Sequence, residues 1–160
     1  MINELYAIQK QLNDRILIEH NLDIESVINK QYLAFLVELG ELANETRTFK
    51  YWSLKGPAAK SVIIEEFSDV LHFLLTLGLQ LDRPHLEFYN EKIELDMTDL
   101  FLSVYNDANV VRHYKSTFVF VRMWNTLMQI ATLLGFSEQE VFDSYMAKNR
   151  INHQRQDDGY

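Results

Sequence analysis

Residues 59–81 constrain the fold more than any other stretch. Val62, Ile63, Phe67, Val70, Leu71, Leu74, Leu75 and Leu77 fall on almost every side of a helix. A helix apolar nearly all round is central and covered on several sides. The rest of the chain must therefore supply amphipathic partners, and it does. Leu5, Ile8, Leu12 and Ile16 recur at helical spacing and predict a first helix over about Asn3 to His20. Asp23 is placed to cap a second, over Ile24 to Thr46, that carries Val27, Phe35, Leu36, Leu39 and Leu42. Gly56-Pro57 marks a loop over Lys50 to Ala58, and the central helix follows over about Ala59 to Leu81. His85 to Asp96 reads as a short helix and a loop. Thr98 is expected to cap a fourth helix through about His113, and Ser116 a fifth through Leu134, stopped by Gly135. Ser137 with Glu140 forms a capping box that opens a sixth helix toward Arg150 or beyond.

Composition agrees with this pattern. Five Gly and two Pro in 160 residues are too few for the turns of a β-sandwich. With 48% apolar residues the chain can bury a core, and its length suits a single domain, residues 1–160. The expected fold is all-α, a bundle of about six helices. The absence of cysteine excludes a disulfide framework, a thiolate zinc site and a cysteine nucleophile, and fits a cytoplasmic protein. A net charge of −8 argues against a nucleic-acid surface, which needs a basic footprint. No segment reads as a signal peptide, and no apolar run reaches the roughly 20 residues of a membrane span.

The strongest chemical feature is a pair of acidic pairs. Glu38-Leu39-Gly40-Glu41 lies on the second helix and Glu66-Phe67-Ser68-Asp69 on the third. Residues three apart share a helix face, so each pair presents two carboxylates together. The first pair sits among Ala34, Phe35 and Leu42, the second among Val62, Val70, Phe73 and Leu77. A single such pair is commonly solvent decoration. Two on adjacent antiparallel helices, both inside apolar stripes, must share protons, pair with bases or bind metal, because burying bare carboxylates is costly. Hard oxygen ligands suit Mg²⁺, with Mn²⁺ as a substitute. Glu45 extends the first face, whereas Glu65 turns away and reads as peripheral.

Other features carry weaker signals. Lys148, Asn152 and Arg155 recur on one face of the last helix, which suits a polyphosphate, or an ordinary basic last turn. The basic groups have no evident internal partners, and the sequence leaves open an ordered segment or a mobile tail that folds over substrate. Trp52 beside Lys50 and Lys55 either closes over a nucleotide or anchors the loop to the core. Gln9 and Asn13 share a face of the first helix, as base-reading amides or as two exposed polar residues. His72 lies on the Asp69 side of its helix, either as a satisfied core histidine or at the rim of a site.

Together these features resemble the dimeric all-α dUTPase family, relatives of the MazG-type nucleotide pyrophosphohydrolases. The resemblance is carried by Glu38-x-x-Glu41, by Glu66-x-x-Asp69 with its extension Val70-Leu71-His72-Phe73, by Gln9-Lys10-Gln11-Leu12-Asn13, by Phe49-Lys50-Tyr51-Trp52, and by the segment from Lys148-Asn149 to Tyr160. It spans Gln9 to Tyr160, and the acidic pairs alone fit the wider superfamily. The resemblance implies Mg²⁺-dependent hydrolysis of dUTP, and of dUDP, by a homodimer. It implies Glu38, Glu41, Glu66 and Asp69 as metal ligands, with Glu38 or Glu41 activating water. It implies a nucleotide site of Gln9, Asn13, Trp52, Lys55, His72, Phe73, Tyr145, Lys148, Asn152 and Arg155. Among these, Gln9 and Asn13 would read the base and sugar, Lys148 and Arg155 would hold phosphates, and Phe73 would exclude a ribose 2′-hydroxyl. A related pyrophosphohydrolase of other nucleotide specificity, or a helical interaction module with an acidic docking face, are the competing readings.

Overall fold

A computed structural model describes residues 2–81, 85–86 and 95–159. It contains six helices, α1 (Ile2–Glu19), α2 (Ile24–Thr46), α3 (Lys60–Leu79), α4 (Met97–Tyr114), α5 (Thr117–Leu133) and α6 (Glu138–Asp157). Of the described residues 79% are helical, and none is in a strand. The expected all-α fold class is observed, with six helices among the described residues.

The apolar helix is central, as its sequence requires. α3 packs against α1, α2, α5 and α6, while α4 pairs with α5 and touches α2. Phe67, Val70, Leu71, Leu74, Leu75 and Leu77 are all fully buried. They meet Leu5 and Tyr6 of α1, Phe35, Leu39 and Leu42 of α2, Phe120 and Trp124 of α5, and Tyr145 of α6 in one continuous core. Close approach is enabled at Gly78 of α3. A Cβ there would press into the Tyr6 hydroxyl and lie 2.9 Å from Phe120 Cζ.

Helix ends follow local chemistry. Asp23 caps α2 through Ser26 N at 2.9 Å, Ser116 caps α5, and Ser137 with Glu140 forms the expected capping box on α6. Gly135 takes a φ of +71° just past α5, a conformation that favours glycine. α4 differs from expectation. Asp96 caps it by accepting from Asp99 N at 2.9 Å, and Thr98 sits in the first turn, where its hydroxyl meets Thr48 at 3.1 Å. A carboxylate two residues earlier takes the capping role, which frees the threonine for a contact to the loop after α2. Of the stretch expected to form a short helix and a loop, His85, Leu86, Leu95 and Asp96 are non-helical, and residues 87–94 lie outside the described residues.

Candidate active site

The α2–α3 pairing brings the two acidic motifs together. One carboxylate oxygen each from Glu38, Glu66 and Asp69 lies within 4.8 Å of the others. All three side chains are half-buried, so burial is the first reason their acidity is weakened. Burial, followed by the charges of Asp69, Glu41 and Glu66, pushes Glu38 up to about 7. Burial and the same crowding by Asp69 and Glu41 raise Glu66, and burial raises Asp69 against the opposing pull of Lys148. Glu41 is exposed and outside the triad, yet its charge is felt by both Glu38 and Glu66. Glu45 turns aside, and its carboxylate accepts from Asn44. Glu65 is peripheral as expected, 61% exposed at its side chain.

Three converging carboxylates with unspent negative charge fit a hard divalent cation, which prefers oxygen ligands. Lys148 is a counter-ion inside the cluster. Lys148 Nζ lies 2.6 Å from Asp69 and 3.4 Å from Glu65, with 12% of its side chain exposed. Burial works against its charge, but bonding to Asp69 and Glu65 outweighs that and the net shift is upward. The C-terminal cation expected to lack internal partners therefore has two. The segment is helical to Asp157 rather than a loose tail. Sequence spacing reveals which cations share a face, not which carboxylates α3 will set opposite them.

A cavity of about 390 Å³ opens beside the acids, with Glu38 and Asp69 in its wall. Gln9 and Asn13 of α1, His72, Phe73 and Thr76 of α3, and Asn152 and Arg155 of α6 also line it. Apolar length comes from Leu12, Ile16 and Val27. The lining thus combines two carboxylates, the amides of Gln9, Asn13 and Asn152, and the Arg155 cation of α6. That mixture suits a ligand that carries both a polar ring and phosphates.

The amides are not exposed surface groups. Gln9 is 3% exposed, and Asn13 is half-buried. Gln9 Nε2 donates to Asn13 Oδ1 at 2.9 Å and to Thr76 Oγ1 at 3.2 Å. Gln9 Oε1 accepts from the Tyr145 hydroxyl at 2.9 Å and lies 2.8 Å from His72 Nδ1. Asn13 Nδ2 donates to Thr76 Oγ1 at 3.1 Å, and Thr76 donates to the His72 carbonyl at 3.0 Å. His72 stacks on Tyr145 with ring centroids 4.1 Å apart, and burial pulls its imidazole down to about 4. His72 is at once a satisfied core residue and part of the cavity wall. Tyr145 is fully buried and meets the cavity wall through Gln9 and His72.

Trp52 and Lys55 stand apart from this cavity. Trp52 is 65% exposed, edge-on to Tyr51 and Phe49, so it is not a core anchor. Lys55 borders a separate hollow of about 170 Å³ with Asn44, Glu45 and Arg47. Arg47, which sequence reading passes over, organises this loop. It ends α2 at a φ of +59°, and its guanidinium donates to Lys55 O at 2.9 Å and Ser53 Oγ at 2.6 Å. Thr76 was equally silent in the sequence, a lone hydroxyl in an apolar run.

No curated protein sequence matches the chain significantly. A family model described as dUTPase matches residues 1–160, the whole chain. The paired acidic motifs on α2 and α3, the amide-lined cavity and this full-length match lead to one assignment: the chain belongs to the dimeric all-α dUTPase family and is a dUTP diphosphatase.

Proposed function

We propose that the protein is a Mg²⁺-dependent pyrophosphatase that converts dUTP and water to dUMP and pyrophosphate, and also cleaves dUDP to dUMP and phosphate. The observation that carries this reading is the convergence of Glu38, Glu66 and Asp69 beside a cavity that Glu38 and Asp69 line together with the amides of Gln9, Asn13 and Asn152. Glu38, Glu66, Asp69 and the adjacent Glu41 would hold magnesium, which when bound supplies charge neutralisation to the phosphate oxygens and acidity to water. Mn²⁺ would substitute, since it accepts the same oxygen ligands.

The chain's own groups account for the rest. Glu38 or Glu41 accepts the proton of the attacking water; burial keeps Glu38 a weaker acid than an ordinary carboxyl and so a better base. Lys148, already beside Asp69, and Arg155 on the same face of α6 neutralise the phosphates being separated. Asn152 adds an amide to that face. Phe73, which lines the cavity, would exclude a ribose 2′-hydroxyl by shape. Asn13, held by Gln9, meets the base. Trp52 and Lys55 lie outside the cavity, and their part would come from the loop closing on bound nucleotide or from the loop of a second protomer. A homodimer is supported by exposed apolar side chains on three helices, Leu33 and Val37 of α2, Leu102 of α4 and Phe118 of α5.

The test is pyrophosphate release from dUTP, UTP, dTTP and dCTP, with and without Mg²⁺, by wild type and Glu66→Gln. Metal-dependent turnover of dUTP alone, lost in the variant, is expected. Turnover spread across the panel would reassign the protein to broader nucleotide specificity. Metal-independent turnover would remove the acidic cluster from the mechanism.

A further inference from the structure

The hydrogen bonds around Gln9 have a fixed direction, and that direction reaches the cavity. Tyr145 is fully buried, and its hydroxyl has one acceptor within reach among the described residues, Gln9 Oε1 at 2.9 Å. A buried hydroxyl that fails to donate leaves its proton unsatisfied. Gln9 must therefore turn its oxygen to Tyr145. Its nitrogen then points the other way, to Asn13 Oδ1 and Thr76 Oγ1. Because Asn13 receives that bond on its oxygen, its own nitrogen is turned away from Gln9. One Nδ2 hydrogen goes to Thr76. The other has no acceptor among the described residues, and Asn13 lines the cavity. His72 Nδ1 lies 2.8 Å from Gln9 Oε1, and because an amide oxygen only accepts, a contact there calls for the imidazole proton on Nδ1 as a second donor.

Gln9 thus has all four of its amide bonding positions engaged inside the protein. It relays a direction and has none left for a ligand. We propose that Tyr145 is a positioning residue for base selection. Through Gln9 it holds the Asn13 amide with its N–H toward the cavity, so the pocket accepts a pyrimidine with a carbonyl oxygen at that point. A pyrimidine that carries an amino group there sets donor against donor and is refused. This rests on the reading of the cavity as the nucleotide cleft.

The experiment measures dUMP and dCMP binding by calorimetry without metal, alongside the dUTP-to-dCTP ratio of kcat/KM. The proteins are the full chain as wild type, Tyr145→Phe, Asn13→Ala and the double variant. Tyr145→Phe keeps the ring on His72 and removes only the donor. It is expected to narrow the uracil preference by about tenfold, the scale of one misdirected polar contact, with its melting temperature within roughly 3 °C of wild type. In the Asn13→Ala background the same change is expected to do nothing further to the ratio. An unchanged ratio in Tyr145→Phe would overturn the proposal, as would an equal loss with Asn13 already removed. If wild type hydrolyses dUTP but binds the two monophosphates equally, the proposal fails and the hydrolase reading stands. If discrimination follows Tyr145 and Asn13 but no pyrophosphate is released, the reverse holds.

Discussion

Replacing Gly78 by alanine tests how tightly α1 is seated. Alanine in a helix interior gains about 1 kcal/mol over glycine, so a site with room would be stabilised. This site has none. The added methyl would press into the Tyr6 hydroxyl, lie 2.9 Å from Tyr6 Cε1 and lie 2.9 Å from Phe120 Cζ. Overpacking of a filled core costs about 1–3 kcal/mol, and three contacts inside normal approach place this at the upper end. The net expectation is a loss of roughly 2 kcal/mol, or about 4–8 °C in Tm for a chain of this length. Tyr6 supplies the control. Its hydroxyl is buried without a partner, so Tyr6→Phe alone should be neutral or stabilising. It also removes the closest obstacle, so the double variant should recover about half of the loss. Urea unfolding followed by circular dichroism, at one protein concentration, gives all four free energies. Additivity within about 0.5 kcal/mol would refute the reasoning, because residues in contact must couple. Displacing α1 also moves Asn13, so KM for dUTP should rise in Gly78→Ala and fall back in the double variant.

Two further outcomes follow from the charges. Burial holds His72 at about 4, below its ordinary 6.5. Between those values the unfolded chain binds a proton that the folded one refuses, so the histidine's contribution is complete above about pH 6.5 and is lost as pH falls toward 4. The loss is up to about 3 kcal/mol at ~1.4 kcal/mol per unit, and His72→Gln should flatten that part of the stability–pH curve; an unchanged slope would refute it. Lys148→Met should act in opposite directions on two ligands. Without metal it should destabilise by up to about 3 kcal/mol, since it strips a mostly buried partner from Asp69, yet Mg²⁺ should bind tighter and the KM for dUTP should rise. Calorimetry showing weaker Mg²⁺ binding would contradict this.

What the sequence disclosed depended on the range of the interaction. The acidic motifs were legible because a spacing of three fixes a face and apolar neighbours fix its burial, both properties of one helix. Capping at Asp23, Ser116 and Ser137 was legible for the same reason, and the α4 cap slipped by two residues because Asp96 and Thr98 are both able caps. The amides were less legible. Periodicity sorts apolar from polar but cannot tell a solvated glutamine from one whose partners arrive from α3 and α6. The partnership of Lys148 with Asp69 and that of Arg47 with the Ser53–Lys55 loop were hidden because each joins segments whose approach only the fold creates.

α1 is the element least bound into the bundle. It packs on α3 and α6 and is followed by an exposed connection, residues 20–23. Its rim is tied by Arg15 to Asp157 and the His153 carbonyl. Segments joined through few neighbours open on their own, ahead of global unfolding. Yet α1 bears the amide wall, while the acids and cations belong to α2, α3 and α6. A nucleotide lying across the cavity, as proposed, would brace the helix that otherwise opens first, and occupancy would protect the connection at residues 20–23 from proteolysis. Turnover of the protein would then be slowest when its substrate is abundant, and the chain's lifetime would report the nucleotide pool it acts on.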